Sequence, residues 1–84
     1  MKYTLYITSS ALSDIRSPHG WYVSKGEAIA LRFDDAVRNA LDAISVNPLV
    51  FQERYAEVRV SLLSHYPYGV FFTIVQHKIV ILAV

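Results

Sequence analysis

Polar and apolar residues follow two patterns along this chain, one with the period of a strand and one with the period of a helix. Strict alternation over residues 2–8 predicts a first β-strand. Ser9 and Ser10 then offer N-cap side chains for a first helix. Pro18 is expected to kink or restart this helix, and Lys25-Gly26 is expected to end it. The N-terminal part of the chain therefore predicts a strand followed by an interrupted helix.

Residues 27–45 have the clearest helical period in the chain, and Asn47-Pro48 is expected to close this second helix. The apolar residues that recur at spacings of three and four are Phe33, Val37, Ala40, Leu41 and Ile44. The two helices share only a glycine turn, so they predict a helical hairpin. Residues 49–54 are interpreted as a linker.

Three more strands are predicted over residues 56–63, 70–75 and 78–84, the last two joined by a tight Gln76-His77 turn. The apolar face of the first of them is formed by Val58, Val60 and Leu62. Arg59 alternates with this face, so it is expected to point away from the core or into a groove. The order β-α-α-β-β-β predicts a single α+β domain over residues 1–84. In it the helical hairpin packs on a mostly antiparallel four-stranded sheet.

Composition favours a protein that binds other proteins. The chain has 84 residues, of which 54% are hydrophobic and 18% charged, and its net charge is +1. So little charge predicts an exposed apolar patch, which usually marks an interface, and gives no bulk attraction to nucleic acid. The chain has no cysteine, and its three histidines lack metal-ligand spacing, so neither a metal nor a cofactor is expected. The longest apolar tract is too short and too interrupted for a membrane span, which favours a cytoplasmic location.

The residues with the most chemical potential lie in the second half of the chain. Arg59 could clamp a phosphate and His65 could act as acid or base, and with Lys78 they are the candidate catalytic residues of an RNA-cleaving site. The candidate residues for binding a partner are Arg54, Tyr66 and Tyr68. Each has a structural alternative: a cross-strand salt bridge for the arginine, a turn for the histidine, and packing for the tyrosines.

Four segments of the chain resemble the RelE/ParE family of bacterial toxins. They are ITSSALSDI, RFDDAVRNALDAISVNP, EVRVSLLSHYPYGVFFTIV and KIVILAV. Arg59 matches a family arginine, and Tyr68 matches the tyrosine of the family's Pro-Tyr motif. The resemblance implies the toxin of a type II toxin–antitoxin, or plasmid stabilisation, system. A cognate antitoxin whose flexible segment wraps the toxin would hold it inactive. Such a segment would add a strand to a sheet edge or lay a helix in a groove.

Two activities occur in the family that the sequence resembles: poisoning of DNA gyrase, and cleavage of mRNA on the ribosome. The HYPYGVFF segment and the helical hairpin resemble the gyrase-directed, ParE-like branch, and the low net charge favours it because a ribosome-bound nuclease needs several phosphate contacts. The alternative is a ribosome-dependent mRNA endoribonuclease that uses Arg59 with His65 or Lys78. A third interpretation is a member that only binds its antitoxin, and a homodimer is a further option.

The C-terminal strand carries one more expectation. In relatives it continues into a segment with a histidine and arginines, whereas this sequence ends at Val84. The resemblance therefore predicts a member without that tail, whose toxicity could be lost. Residues 80–84 are expected to be protected by pairing within the sheet, by a partner, or by exchange between copies.

Overall fold

The computed structural model describes residues 3–84, so Lys2 of the predicted first strand lies outside the described residues. The described residues fold into two helices and five strands, with a 3₁₀ turn between the second helix and the second strand. In chain order they are β1 Thr4–Ile7, α1 Ser9–Lys25, α2 Glu27–Val46, the turn Pro48–Val50, β2 Glu53–Tyr55, β3 Val58–Leu62, β4 Gly69–Val75 and β5 Lys78–Ala83.

The strands form one mixed sheet in the order β1-β5-β4-β3-β2. β1 pairs with β5 in parallel, and the other neighbours are antiparallel. The α+β class and the helical hairpin are confirmed, but the sheet has five strands instead of four. The predicted linker over residues 49–54 contains two of the three residues of the 3₁₀ turn and two of the three residues of β2. The sequence of β2, ERY, lacks apolar alternation, so the pattern of the chain does not reveal this short strand.

The first helix begins one residue earlier than the serines suggest. Thr8 is the N-cap, and its hydroxyl oxygen accepts a hydrogen bond from the Ala11 N–H at 3.1 Å. The helix then runs as one element through Pro18 to Lys25, so the expected restart is wrong. Gly26, with φ 146°, separates the two helices in a conformation that favours glycine.

The core lies between the helical hairpin and one face of the sheet. The predicted stripe of α2 supplies Phe33, Val37, Ala40 and Ile44, all buried. The central strands supply buried residues opposite it, which are Val70, Phe72, Ile79 and Ile81. These side chains alternate along β4 and β5, as a half-buried sheet requires. The apolar residues that follow the helical period and those that follow the strand period thus pack together in a single core.

The two faces of β3 are the reverse of the prediction. Ser61 is only 6% exposed, whereas Leu62 is 70% exposed. Ser61 pairs with Val70, so its side chain shares the face that the helices cover. Its small side chain leaves room for α2, while Leu62 lies on the opposite face. Apolar alternation alone misplaced these side chains because this sheet has apolar residues on both faces.

The C-terminal strand lies in the interior of the sheet. β5 lies between β1 and β4 and pairs with both. Of the three expectations for residues 80–84, pairing within the sheet is confirmed for the part in β5. The predicted turn before it is also confirmed: β4 and β5 are joined by Gln76 and His77, and Gln76 takes a positive φ of 57°.

Candidate functional site

Arg59 lies on the helix-covered face of β3, where its side chain is 19% exposed. Its Nη1 donates hydrogen bonds to the carbonyl oxygens of Phe51 at 2.6 Å and Leu49 at 3.4 Å. Its Nη2 donates to Glu53 Oε1 at 3.2 Å. Arg59 was expected to point away from the core or into a groove; it lies on the core-facing side of β3, and its guanidinium turns towards the backbone that precedes β2. The cross-strand salt bridge considered for this residue is present, with Glu53 of β2 as its partner.

The other two residues predicted to be catalytic lie at opposite ends of the sheet. His65 is exposed in the connection before β4 and has a positive φ of 68°. Lys78 begins β5, just after the end of β4, and its Nζ lies 5.5 Å from the centroid of the Tyr6 ring. The seven residues of β4 separate the two positions, and a strand of that length spans about 20 Å. The structure does not bring His65 and Lys78 together, and their catalytic roles stay predictions.

Tyr66 and Tyr68 belong to an aromatic cluster that joins the helical hairpin to the connection between β3 and β4. Tyr66 lies 5.5 Å from Phe33 and 5.6 Å from Tyr22, measured between ring centroids, and Tyr68 lies 5.9 Å from Phe33. These edge-to-face contacts favour a packing role. Partial burial, with the nearby Tyr68 and Tyr66, raises the pKa of Tyr22 above its ordinary value of 10.0. Both predicted binding tyrosines are half-buried, so one side of each ring remains accessible.

An open groove of about 730 Å³ lies between α2 and the end of β3. Its α2 side is Arg32, Asp35, Ala36, Asn39, Ala40 and Ala43. Its other side runs from Ser61 to Tyr66 and includes the predicted residue His65. A second cavity of about 470 Å³ lies beside β2, where the exposed Arg54 is one of its lining residues. Ser61 and Leu62 line both cavities, so the two adjoin at β3.

The sequence interpretation missed this groove. Its signal was the set Ala36, Ala40 and Ala43, which recur at helical spacings of four and three; Ala40 also belongs to the core stripe of α2. Small side chains at these positions let another segment approach the helix closely. The pattern alone did not identify a binding surface, because alanine is equally common on packed and open helix faces.

The chain matches one known family over nearly its whole length. The family profile described as the ParE toxin of type II toxin-antitoxin system, parDE, matches residues 5–84. The chain belongs to the ParE toxin family. This membership confirms the resemblance found in the sequence.

The ParE fold is also found in a solved structure of the chromosomal ParDE TA system from P. aeruginosa. The matching chain of that structure is 20% identical to this one, with a TM-score of 0.84, over 98% of this chain and 92% of the other. At this identity the similarity shows the shared fold. A comparison with curated proteins finds no match.

Two kinds of site are absent from residues 3–84 of this ParE-family chain. No three side chains of histidine, cysteine, aspartate or glutamate lie together there as metal ligands. No helix in the same range is long and apolar enough to cross a membrane.

Proposed function

We propose that this chain is a cytoplasmic, growth-inhibiting toxin that acts by binding a cellular protein, DNA gyrase, and that a cognate antitoxin neutralises it by binding the toxin. Membership of the ParE toxin family supports this proposal. The chain also exposes many large apolar side chains for its size. They include Trp21, Leu31, Leu49, Val50 and Leu62. Exposed apolar surface of this kind suits a protein that binds partners through contact.

The observation that carries the proposal is that the Arg59 guanidinium is hydrogen-bonded within the protein. A nuclease needs a cation that faces the scissile phosphate. Here the guanidinium donates to Phe51, Leu49 and Glu53, all in the segment that precedes β3. His65 and Lys78, each considered as the partner of Arg59 in a ribonuclease, lie at opposite ends of the sheet, and the protein itself already provides acceptors for the Arg59 guanidinium. Binding without catalysis therefore accounts for the geometry better than mRNA cleavage does.

The test is pulse labelling after induction of this chain in a bacterial host, with DNA and protein synthesis followed separately. DNA synthesis is expected to fall first. The purified chain is expected to inhibit supercoiling by purified gyrase, and co-expression of the protein encoded beside it should relieve both effects. An early fall in protein synthesis with cleaved mRNA would instead support the ribonuclease. A complex with the neighbouring protein, without any effect on synthesis, would support a member that only binds its antitoxin.

A further inference from the structure

The sheet has a second face, which the helical hairpin does not cover. Both helices pack on the face that carries the buried side chains Val70, Phe72, Ile79 and Ile81. Side chains alternate along a strand, so the remaining positions of β3, β4 and β5 lie on the opposite side, which we call the outer face. No helix among residues 3–84 packs on the outer face.

The outer face is largely apolar, although sheet faces that meet water normally carry polar side chains. The central strand β4 places Phe71, Thr73 and Val75 there, and the register pairs Val60 of β3 with Phe71 and Val80 of β5 with Thr73. None of these five belongs to the core cluster. Val75 is 51% exposed and the other four are half-buried. Apolar side chains on the uncovered face of three adjacent strands indicate an interface with another protein.

The outer face has the size of a small, reversible interface. Its apolar surface continues from β4 onto β3, because a Cβ added at Gly69 would lie 2.9 Å from Val60, 3.2 Å from Leu62 and 3.8 Å from Phe71. Five strands spaced about 4.8 Å apart and about six residues long cover roughly 500 Å². A standard interface takes about 800 Å² from each partner, so contact through this face alone is expected to be weak.

Two charges of opposite sign lie at one end of the outer face. Lys78 of β5 pairs with Val75, and its Nζ lies 5.5 Å from the ring centroid of Tyr6. Glu57 lies in the turn before β3, where its carbonyl accepts a hydrogen bond from Thr73 Oγ1 at 3.2 Å. Both charged residues are exposed, and within residues 3–84 neither takes part in a salt bridge. The cation thus lies on the β5 side of β4, and the anion lies on the β3 side.

This placement of charge is self-complementary about one axis. When two copies stack with their outer faces together, a two-fold axis along β4 exchanges the β5 side of one copy with the β3 side of the other. Lys78 of each copy then faces Glu57 of the other, at the same end of the sheet. An axis across the strands would instead place Lys78 over the far end of β5, near Ala83, and leave both charges unpaired.

We propose that the outer face binds a second copy of this chain, sheet against sheet, with β4 of both copies at the centre and two Lys78–Glu57 pairs at the rim. Stacked sheets of this kind lie about 10 Å apart. Of the outer-face positions in β4 and β5, Lys78 alone carries a charge, which suits an apolar partner and not nucleic acid, whose binding needs several cations. The inference stands apart from the proposed function, because it requires neither gyrase nor an antitoxin.

The first test is sedimentation velocity of the purified chain over a series of concentrations. The chain is expected to pass from monomer to dimer in the micromolar range, as a small interface predicts. A chain that stays monomeric throughout that range would overturn the proposal. Assemblies that keep growing beyond two copies would overturn it as well, because a two-fold contact closes on itself.

A second test reverses the rim charges and then restores them. Lys78→Glu and Glu57→Lys are each expected to raise the dimer dissociation constant several-fold, because each places like charges opposite one another. The double variant reverses both members of the pair and has the wild-type net charge, so it is expected to recover most of the affinity. Single variants without effect, or a double variant as weak as the sum of the two, would show that these residues do not meet across the interface.

A third test places a charge at the centre of the interface. Val75→Lys is expected to weaken the dimer about tenfold or more, because the lysine would be buried against an apolar face beside Lys78. Val46→Lys makes the same change at an 81% exposed position at the end of α2 and is the matched control. Equal dissociation constants in the two variants, with matching circular dichroism spectra, would assign the dimer to another surface and overturn the proposal.

Discussion

The two edges of the sheet are held in different ways. At one edge, β1 pairs with β5 over all four of its residues and passes directly into α1. Thr8 closes this junction. Its hydroxyl donates to the Ile81 carbonyl at 2.9 Å and accepts from the Ala11 N–H at 3.1 Å. Thr8 therefore joins the end of β1 to both α1 and β5. Together with the β1–β5 pairing, this holds the edge along its whole length.

At the other edge, β2 has three exposed residues and a register shift between Glu53 and Tyr55. A long side chain holds it, since the Arg59 guanidinium bonds to the backbone before β2 and to Glu53 within it. The strand stops before β3 does and leaves part of that strand open. The difference shows that the two edges of one sheet depend on different kinds of contact. The β1 edge pairs along its whole length and leads directly into α1, whereas the β2 edge has a short irregular pairing that the Arg59 side chain reinforces.

Arg59→Ala is expected to have the largest effect and to break the β2 edge alone. The partly buried Phe51 carbonyl would lose its charged donor, and Glu53 would lose its partner. Hydrogen bonds to charged groups predict a loss of about 2–3 kcal/mol in the free energy of unfolding, measured by urea denaturation. Arg38→Ala is the control, because its side chain is 72% exposed and its salt bridge is long, and such pairs contribute about 0.5 kcal/mol or less. Equal losses of unfolding free energy in both variants would contradict the claim that Arg59 holds β2 in place.

Thr8→Ala is expected to loosen the β1 edge while leaving β2 unchanged. It removes the N-cap of α1 and the hydrogen bond to the Ile81 carbonyl. The predicted loss is about 1–2 kcal/mol in the free energy of unfolding. Thr8→Ser keeps the hydroxyl and should retain most of the stability. If amide exchange accelerates at β2 as much as at β1, the two edges are not independent.

The β1 edge and the core were predictable from the sequence because local patterns determine them. Alternation placed β1, and helical spacing placed the buried stripe of α2. β2 and the faces of β3 were not predictable in the same way. The Arg59 side chain of β3 bonds to Glu53 in the short strand and to the Phe51 carbonyl just before it. No pattern within Glu53–Tyr55 encodes these contacts.

The candidate site, too, has features that the sequence predicted and features that it did not. Family resemblance identified the toxin class, and the packing alternative for Tyr66 and Tyr68 agrees with their aromatic contacts. The direction of Arg59 was missed because alternation assigned the wrong face of β3 to the core. The groove was missed because alanine spacing on α2 does not distinguish a packed helix face from an open one.

Gly69→Ala is expected to have a smaller effect, and it tests how tightly the outer face of β3 packs beside the open edge. An added Cβ would lie 2.9 Å from Val60 Cγ2 and 3.2 Å from Leu62 Cδ2. These side chains would have to shift, at a cost of about 1 kcal/mol. Gly20→Ala is the matched control, because nothing lies within 4 Å of its added Cβ. In a helix that change is expected to stabilise, by about 0.5–1 kcal/mol. Thermal denaturation of both variants should therefore give shifts of opposite sign.

The smallest expected effect is a pH dependence in the aromatic cluster that supports the open side of the sheet. Tyr22 has a pKa raised above 10.0, first by desolvation and then by Tyr68 and Tyr66. The unfolded chain loses this proton more readily, so the contribution is fully present below about pH 10 and is lost as pH rises through the folded pKa. Tyr22→Phe should therefore show a shallower alkaline fall in Tm than wild type. Tyr55→Phe, which changes an exposed ring in β2, should keep the wild-type slope. If both variants keep the wild-type slope, the alkaline loss arises elsewhere, and the cluster does not link the hairpin to the β3–β4 connection through Tyr22.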